Sequence, residues 1–108
     1  KKKRLWRLLE KEVPGIYVTS SVPQLLEVSH SEAGKGPALG FLLEHLGLKL
    51  QGAAAFGDGD NDSGMLGLAG IGIAMANASE ACIRAADHMA GSNDEDGVAE
   101  GIRWLLEL

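Results

Sequence analysis

The feature that most restricts the fold of this chain is a short apolar segment that runs directly into a cluster of acidic side chains. The segment is AAAF at positions 53–56, and GDGDNDSG follows it at once, with Asp58, Asp60 and Asp62 as its acidic members. A wholly apolar strand of this length is typical of a parallel sheet whose two faces are covered by helices. Ligands bind beyond the carboxyl ends of such strands, so we expect a ligand site at the acidic turn.

The surrounding sequence alternates between helical and strand-like patterns. From position 35 onward we predict, in order, a helix over 35–47, a strand over 53–56, a helix over 63–68, a strand over 71–75, and helices over 79–86 and 96–106. Asp62 or Ser63 is expected to cap the helix over 63–68 through its side chain. This alternation indicates parallel strands with crossover helices, which is an α/β layered fold.

Two of the predicted helices carry apolar stripes that we expect to face the core. In the helix over 35–47 the stripe consists of Leu39, Leu42, Leu43 and Leu46. In the last helix it consists of Val98, Ile102, Leu105 and Leu106. Residues spaced by three or four positions lie on one side of a helix, so each stripe predicts one buried face.

The first thirty residues follow a different pattern. A helix is predicted over 5–13, and Pro14 and Gly15 end it. The runs GIYVTS and LLEVSH are rich in β-forming residues and predict a hairpin or two sheet strands. The composition changes near positions 31–36, which makes this segment the candidate domain boundary.

Charge, hydropathy and cysteine content exclude several classes of protein. The net charge is −5, and four of the ten basic residues stand in the first four positions, so the rest of the chain lacks the basic stripe of a nucleic-acid-binding protein. The basic cluster is interpreted as the solvated start of a helix. No apolar run approaches the ~18 residues of a membrane span. A single cysteine, Cys82, fits a packed thiol in a reducing compartment, and we expect a cytoplasmic protein.

The carboxylates of the acidic turn repel one another, so we expect a positive charge close to them. Carboxylates are hard oxygen donors suited to Mg²⁺, which proteins bind through one or two carboxylates together with substrate phosphate. Lys35, at the start of a predicted helix, supplies a second positive charge for an anion. A carboxylate-held metal beside a lysine indicates a site that handles phosphate.

Calcium binding in an EF-hand loop is the main alternative for DGDNDSG. That loop requires Gly at its sixth position and a bidentate Glu at its twelfth. Ser63 and Ala69 stand at these positions, so the calcium interpretation fails. A merely solvated capping turn would need only one Asp, and the stretch holds three with an Asn.

Several spaced motifs resemble one known family. KGPALGFLLEHLG, AFGDGDNDSGML, AGIGIAMANAS, AAD and SNDEDGVAEGI are similar, in that order, to the C-terminal half of Cof-type phosphatases of the haloacid dehalogenase (HAD) superfamily. The resemblance covers about residues 26–106. It implies a Rossmann-like core with an α/β cap, and Mg²⁺-dependent hydrolysis of phosphorylated metabolites. Residues 1–30 would then be the C-terminal remnant of the cap domain, and residues 31–108 the C-terminal half of the HAD core.

The resemblance also implies roles for individual residues. Lys35 corresponds to the lysine that neutralises the nucleophile and the substrate phosphate. Asp58 corresponds to a direct Mg²⁺ ligand, and Asn61 to a residue that contacts the substrate phosphate. Asp62 would orient Lys35 or a metal-bound water. Asp60 falls at a variable position of the motif and receives no role.

The chain departs from the family pattern in one decisive respect. The family's nucleophile lies in a DxDGT-like motif, and no such motif occurs here. We therefore expect negligible phosphatase activity from these residues alone, although they resemble part of an enzyme that forms an aspartyl-phosphate intermediate. The alternative is a non-catalytic fragment or short natural chain that binds metal, phosphate or a partner protein. Incomplete cover of the apolar strands predicts a homo-oligomer or association with the missing N-terminal part.

Overall fold

The chain forms two separate sheets, with an antiparallel pair before a parallel triplet. The computed structural model describes residues 1–108, except for the side chain of Asn93. The helices are α1 (Lys2–Glu12), α2 (Lys35–Leu46), α3 (Ser63–Leu68), α4 (Glu80–Ala85) and α5 (Gly97–Leu106). The strands are β1 (Ile16–Thr19), β2 (Glu27–His30), β3 (Ala54–Gly57), β4 (Ile71–Ala74) and β5 (His88–Met89). Within the described chain, no helix combines the length and apolarity needed to cross a membrane.

The N-terminal part consists of α1 and the antiparallel pair β1–β2, as the hairpin pattern predicts. Ile16 pairs with His30 and Thr19 with Glu27. The helix begins at Lys2, three residues earlier than its apolar spacing predicts, and none of its described residues is buried. The ammonium group of Lys2 donates hydrogen bonds to the hydroxyl of Ser20 and to two carbonyl groups of the following turn. One residue of the basic cluster therefore holds the turn that connects the two strands.

The second sheet confirms the predicted α/β fold. β3, β4 and β5 pair in parallel and in chain order, with Ala54 opposite Ile71 and Gly57 opposite Ala74. On one face, Leu66 of α3 and Cys82 of α4 form an apolar cluster with Ala55 of β3. Helices therefore join successive parallel strands and cover the apolar segments.

The fifth helix covers the other face of this sheet through its glycines. Gly101 lies so close to the ring of Phe56 that an added Cβ would sit 2.9 Å from the ring carbon Cζ. Only a residue without a side chain allows the helix backbone to approach the ring in this way. The ring of His88 on β5 stacks on Trp104, with the ring centroids 3.6 Å apart. These contacts hold α5 against the sheet near the carboxyl ends of β3 and β4, where the loop after β3 begins.

The predicted apolar stripes are wrong for five of their eight residues. In α2, Leu43 is buried and Leu39 packs against the core, as predicted. Five members of the stripes are exposed instead: Leu42, Leu46, Val98, Ile102 and Leu106. In α5 the buried residues are Gly97 and Gly101. The glycine side of α5 packs because it admits the closest backbone approach, and this turns the larger apolar side chains outward.

Candidate active site

The loop that follows β3 carries the predicted site residues. We call residues 57–62 the acidic loop; it ends in a 3-10 turn, Asp60–Asp62, which leads directly into α3. At its start, a Cβ on Gly57 would lie 2.5 Å from the Cβ of Asp62. Glycine is therefore required there, because any side chain would force the two ends of the loop apart. This close approach brings Asp62 back over the end of β3.

Asp62 is the buried centre of the loop, with 4% of its surface exposed. One carboxylate oxygen, Oδ2, accepts hydrogen bonds from the backbone N–H groups of Asp58 (3.0 Å) and Gly59 (3.1 Å). The other oxygen, Oδ1, accepts from the ammonium group of Lys35. Asp62 is the N-cap residue of α3, as predicted, but its carboxylate makes no capping hydrogen bond to that helix, because these donors engage it instead. Ser63 makes no capping bond to α3 either. Its hydroxyl donates a hydrogen bond of 2.9 Å to the carbonyl of Asp60.

Lys35 and Asp62 form an ion pair between two elements. Lys35 is the first residue of α2, as predicted, and half of its side chain is exposed. The hydrogen bond to Asp62 raises the pKa of Lys35, and the charge of Asp58 contributes in the same direction. Burial acts to raise the pKa of Asp62, but the hydrogen bonds from Lys35 and the two loop amides outweigh it and lower that pKa. Both groups therefore stay charged at neutral pH.

Asp58 lies beside this pair at the mouth of a cavity of about 210 Å³. The charged residues that line the cavity are Lys35, Asp58 and Asp62, and the apolar ones include Phe56, Met75 and Val98. Asp58 itself is exposed. An exposed carboxylate and a half-exposed ammonium on one cavity can receive a cation and an anion side by side.

Asn61 and Asp60 lie in the 3-10 turn and do not line this cavity. Asn61 is half-buried, with its side-chain oxygen close to Gly59. The structure therefore brings Lys35, Asp58 and Asp62 together and leaves Asn61 beside them. The roles predicted for all four residues stay predictions.

The donor set around the acidic loop fits only part of a Mg²⁺ site. Among the described residues, no group of three or more His, Cys, Asp or Glu side chains converges on a point that could hold a metal ion. Asp58 offers one exposed carboxylate at the cavity, and the second carboxylate of the cavity is already bound to Lys35. Since Mg²⁺ is usually held by one or two carboxylates, waters and phosphate oxygens, Asp58 suits one position of such a site.

Two contacts of the loop were not predicted from the sequence. The backbone N–H of Ser79 donates to the carbonyl of Asp58 (2.7 Å), and the thiol of Cys82 donates to the carbonyl of Gly59 (2.8 Å). Burial raises the pKa of the Cys82 thiol, so the S–H donor is retained at neutral pH. Cys82 is fully buried, as predicted. No sequence signal pairs these residues, because the thiol contact joins positions 23 apart.

Comparisons with known proteins agree with this architecture. A family model described as haloacid dehalogenase-like hydrolase matches residues 1–102. The chain is 40% identical over 90 residues to a 5-amino-6-(5-phospho-D-ribitylamino)uracil phosphatase of Bacillus subtilis, covering 82% of the chain and 36% of that protein. It is 40% identical over 78 residues to a phosphoglycolate phosphatase of Archaeoglobus fulgidus, covering 72% and 35%.

A solved structure of a phosphatase has the same fold as this chain. A HAD subclass IIB sugar phosphatase superposes with a TM-score of 0.89 at 28% identity, and the match covers 99% of this chain and 41% of that one. The chain thus spans about a third of the length of the curated relatives it matches. A family match over almost the whole chain, together with a matching fold, confirms the resemblance seen in the motifs. The chain belongs to the haloacid dehalogenase-like hydrolase family.

Proposed function

We propose that this chain supplies the lysine-bearing half of the active site of a Mg²⁺-dependent phosphatase. The observation that carries the proposal is the ion pair of Lys35 and Asp62 beside Asp58, on one cavity beyond the carboxyl end of β3. The relatives named as phosphatases and the sugar phosphatase of similar fold support a phosphorylated small molecule, such as a sugar phosphate, as substrate. The single free cysteine supports a reducing compartment, the cytoplasm.

The three charged residues of the cavity have different roles in this proposal. The Lys35 ammonium binds a phosphate oxygen on its exposed side, while Asp62 holds it in position from the buried side. Asp58 holds Mg²⁺, which when bound neutralises the negative charge of the phosphoryl group. Asn61 donates its side-chain amide to the phosphate. The buried Asp62 also fixes the acidic loop, so that Asp58 stays at the cavity.

The nucleophile has to come from outside these 108 residues, because the sequence holds no DxDGT-like motif. In the complete reaction, a nucleophilic aspartate attacks phosphorus and releases the alcohol of the substrate; water then hydrolyses the aspartyl phosphate to inorganic phosphate. The chain alone holds groups that bind charge and none that carries out the first step.

The test compares two proteins: the 108 residues alone, and a longer protein translated from the reading frame that contains them. We expect no hydrolysis of p-nitrophenyl phosphate with Mg²⁺ by the 108 residues, and turnover by a protein that adds an upstream DxD motif. In that protein, Lys35→Met lowers kcat/KM by about 100-fold or more, since a preorganised charge on the transition state is lost. The control Lys49→Met, an exposed lysine away from the cavity, leaves it unchanged.

The alternative remains a short chain that binds metal, phosphate or a partner without catalysis. A start codon directly before Lys1 and binding of phosphate without turnover would favour it. Turnover by the 108 residues that is lost in Asp58→Ala would contradict the proposed division of the site. We further propose that the uncovered apolar surface associates with the missing nucleophile-bearing part or with a second copy of the chain.

A further inference from the structure

The first turns of α2 and α3 contact each other at the peptide that joins Gly64 to Met65. Gly36, the second residue of α2, is buried. A Cβ added to Gly36 would lie 3.3 Å from the carbonyl carbon of Gly64, 3.4 Å from its oxygen and 3.6 Å from the nitrogen of Met65. A methyl group in that position would press on backbone atoms, so one of the two helices would have to move by a few tenths of an ångström.

This contact joins the two elements that carry the ion pair of the cavity. Lys35 directly precedes Gly36, and Asp62 stands two residues before Gly64. The carboxylate of Asp62 cannot follow a moving lysine, because its other oxygen is held by two backbone N–H groups of the acidic loop. The approach of the two helices at Gly36 therefore sets the distance that the Lys35 side chain has to span.

Of the two helices, α3 is the one that cannot yield. Leu66 of α3 is fully buried in the apolar cluster. A Cβ on Gly72 of β4 would lie 2.3 Å from the carbonyl oxygen of Leu66, so the backbone of α3 already packs directly on the strand. α2 is less restrained, since its large side chains Phe41 and Leu46 are exposed. A side chain at the contact would therefore move the start of α2, and Lys35 with it, away from α3.

We propose that Gly36 is a positioning residue, whose missing side chain lets α2 approach α3 closely enough for Lys35 to bind Asp62. The inference rests on the proposed function for its catalytic meaning, while the positioning itself is a property of the chain. Gly36 does not line the cavity and acts through Lys35. If Gly36 served the helix alone, alanine would be the better residue, because alanine favours a helix more than glycine does.

The two helices offer matched control positions. Gly40 lies one turn after Gly36 in α2, and a Cβ added there meets nothing within 4 Å. Gly64 belongs to the contact itself, but a Cβ added to it also meets nothing within 4 Å. Gly40→Ala therefore makes the same change of residue without the contact, and Gly64→Ala changes the partner helix without pressing on α2.

Competitive acetylation of the 108-residue chain, measured by mass spectrometry, reports how firmly Lys35 is held. Trace acetic anhydride at about pH 9 reacts with free amines, and the exposed Lys49 serves as the internal reference. In Gly36→Ala, acetylation of Lys35 relative to Lys49 rises at least about threefold, because a hydrogen bond to a charged group is weakened. In Gly40→Ala and Gly64→Ala the ratio stays within about 1.5-fold of that in the unmodified chain.

Two results would overturn the proposal: a smaller rise in Gly36→Ala, or an equal rise in either control. If Gly36→Ala does not fold, as judged by circular dichroism, the double variant Gly36→Ala/Gly40→Ala is compared with Gly40→Ala instead, because the second alanine stabilises α2. Failure of the double variant to fold also overturns the proposal, since the contact would then hold the whole helix rather than Lys35.

In the protein that carries the nucleophile, a double-mutant cycle separates positioning from a general loss of stability. Gly36→Ala lowers kcat/KM about tenfold when Lys35 is present and by less than about twofold in a Lys35→Met background, because the change acts through the lysine. Equal losses in the two backgrounds would contradict the positioning role. If that protein shows no phosphatase activity, the proposed function fails, while the acetylation result still decides whether Gly36 positions Lys35.

Discussion

The acidic loop and the last helix differ in how fully their groups find partners within the chain. In the loop, the backbone groups of Asp58 and Gly59 and the carboxylate of Asp62 all have partners within the chain. In α5, the large apolar residues Ile102 and Leu106 are 46% and 82% exposed. The loop is complete within 108 residues, whereas the apolar surface of α5 is not covered by any described part of the chain.

The shape of the molecule agrees with this contrast. Its radius of gyration is 14.8 Å and its extents are 46 × 33 × 17 Å, compared with a radius of about 13 Å for a compact domain of 100 residues. β3 is an edge strand, paired only with β4 among the described strands. Local hydrogen bonding fixes the loop, while large apolar side chains of α5 stay exposed in this arrangement of the described elements. The charged site and the apolar surface can therefore be perturbed separately.

A matched pair of leucines gives the largest expected difference. Leu66 is fully buried between α3 and the sheet, and Leu106 is 82% exposed. Leu66→Ala should lower the free energy of unfolding by about 3 kcal/mol through lost burial and a residual cavity. Leu106→Ala should change it by less than about 0.5 kcal/mol. Urea denaturation followed by circular dichroism measures both, and similar losses for the two variants would break the comparison.

Removing the charge of Asp62 tests the self-sufficiency of the loop. Asp62→Asn replaces an acceptor that binds three donors and weakens the contact with Lys35, so we expect a loss of about 2 kcal/mol in the free energy of unfolding. Asp60→Asn, the same change two residues earlier in the loop, serves as the control and should cost less than about 0.5 kcal/mol. Equal effects of the two variants would mean that net loop charge, rather than the specific bonds of Asp62, sets the stability.

The pH dependence of this difference follows from the two pKa shifts. The pKa of Asp62 is lowered from 3.8, so its stabilisation is present above that value and is lost as the pH falls through the folded-state pKa. The pKa of Lys35 is raised from 10.5, so its stabilisation is present below that value and is lost as the pH rises through its folded-state pKa. The stability difference between the unmodified chain and Asp62→Asn should therefore be flat between about pH 5 and 9 and shrink on both sides. A difference that grows towards low pH would contradict the ion pair.

The local part of this structure could be predicted from the sequence. The helix that begins at Lys35, the strand before the acidic loop and the turn after it depend on spacing, glycines and polar residues within a few positions. The family motifs then indicated which of these residues share a site. The placement of Lys35 beside Asp62 agrees with that expectation, although the two are 27 residues apart.

Contacts that depend on competition between distant groups could not be predicted. Asp62 can either cap α3 or turn back to the loop amides, and the choice depends on Lys35 and on Gly57, which leaves room for the turn. Likewise, the buried side of α5 is set by how closely Gly101 approaches Phe56, and hydrophobic spacing alone selects the opposite face. The thiol of Cys82 finds its acceptor only after α4 packs on the sheet.

The smallest expected effect on stability concerns the exposed face of α5, and it is the most direct test of what that face does. Ile102→Gln and Leu106→Gln should change the free energy of unfolding by less than about 0.5 kcal/mol, because both side chains already contact solvent. The same variants should lower self-association of the chain, measured by sedimentation velocity over a range of concentrations, because exposed apolar patches drive association. Glu107→Gln, a change on the same helix end that leaves the apolar face intact, should not. If the unmodified chain sediments as a monomer at high concentration, Ile102 and Leu106 do not form a self-association surface, and the loop and the helix then differ only in their hydrogen bonding.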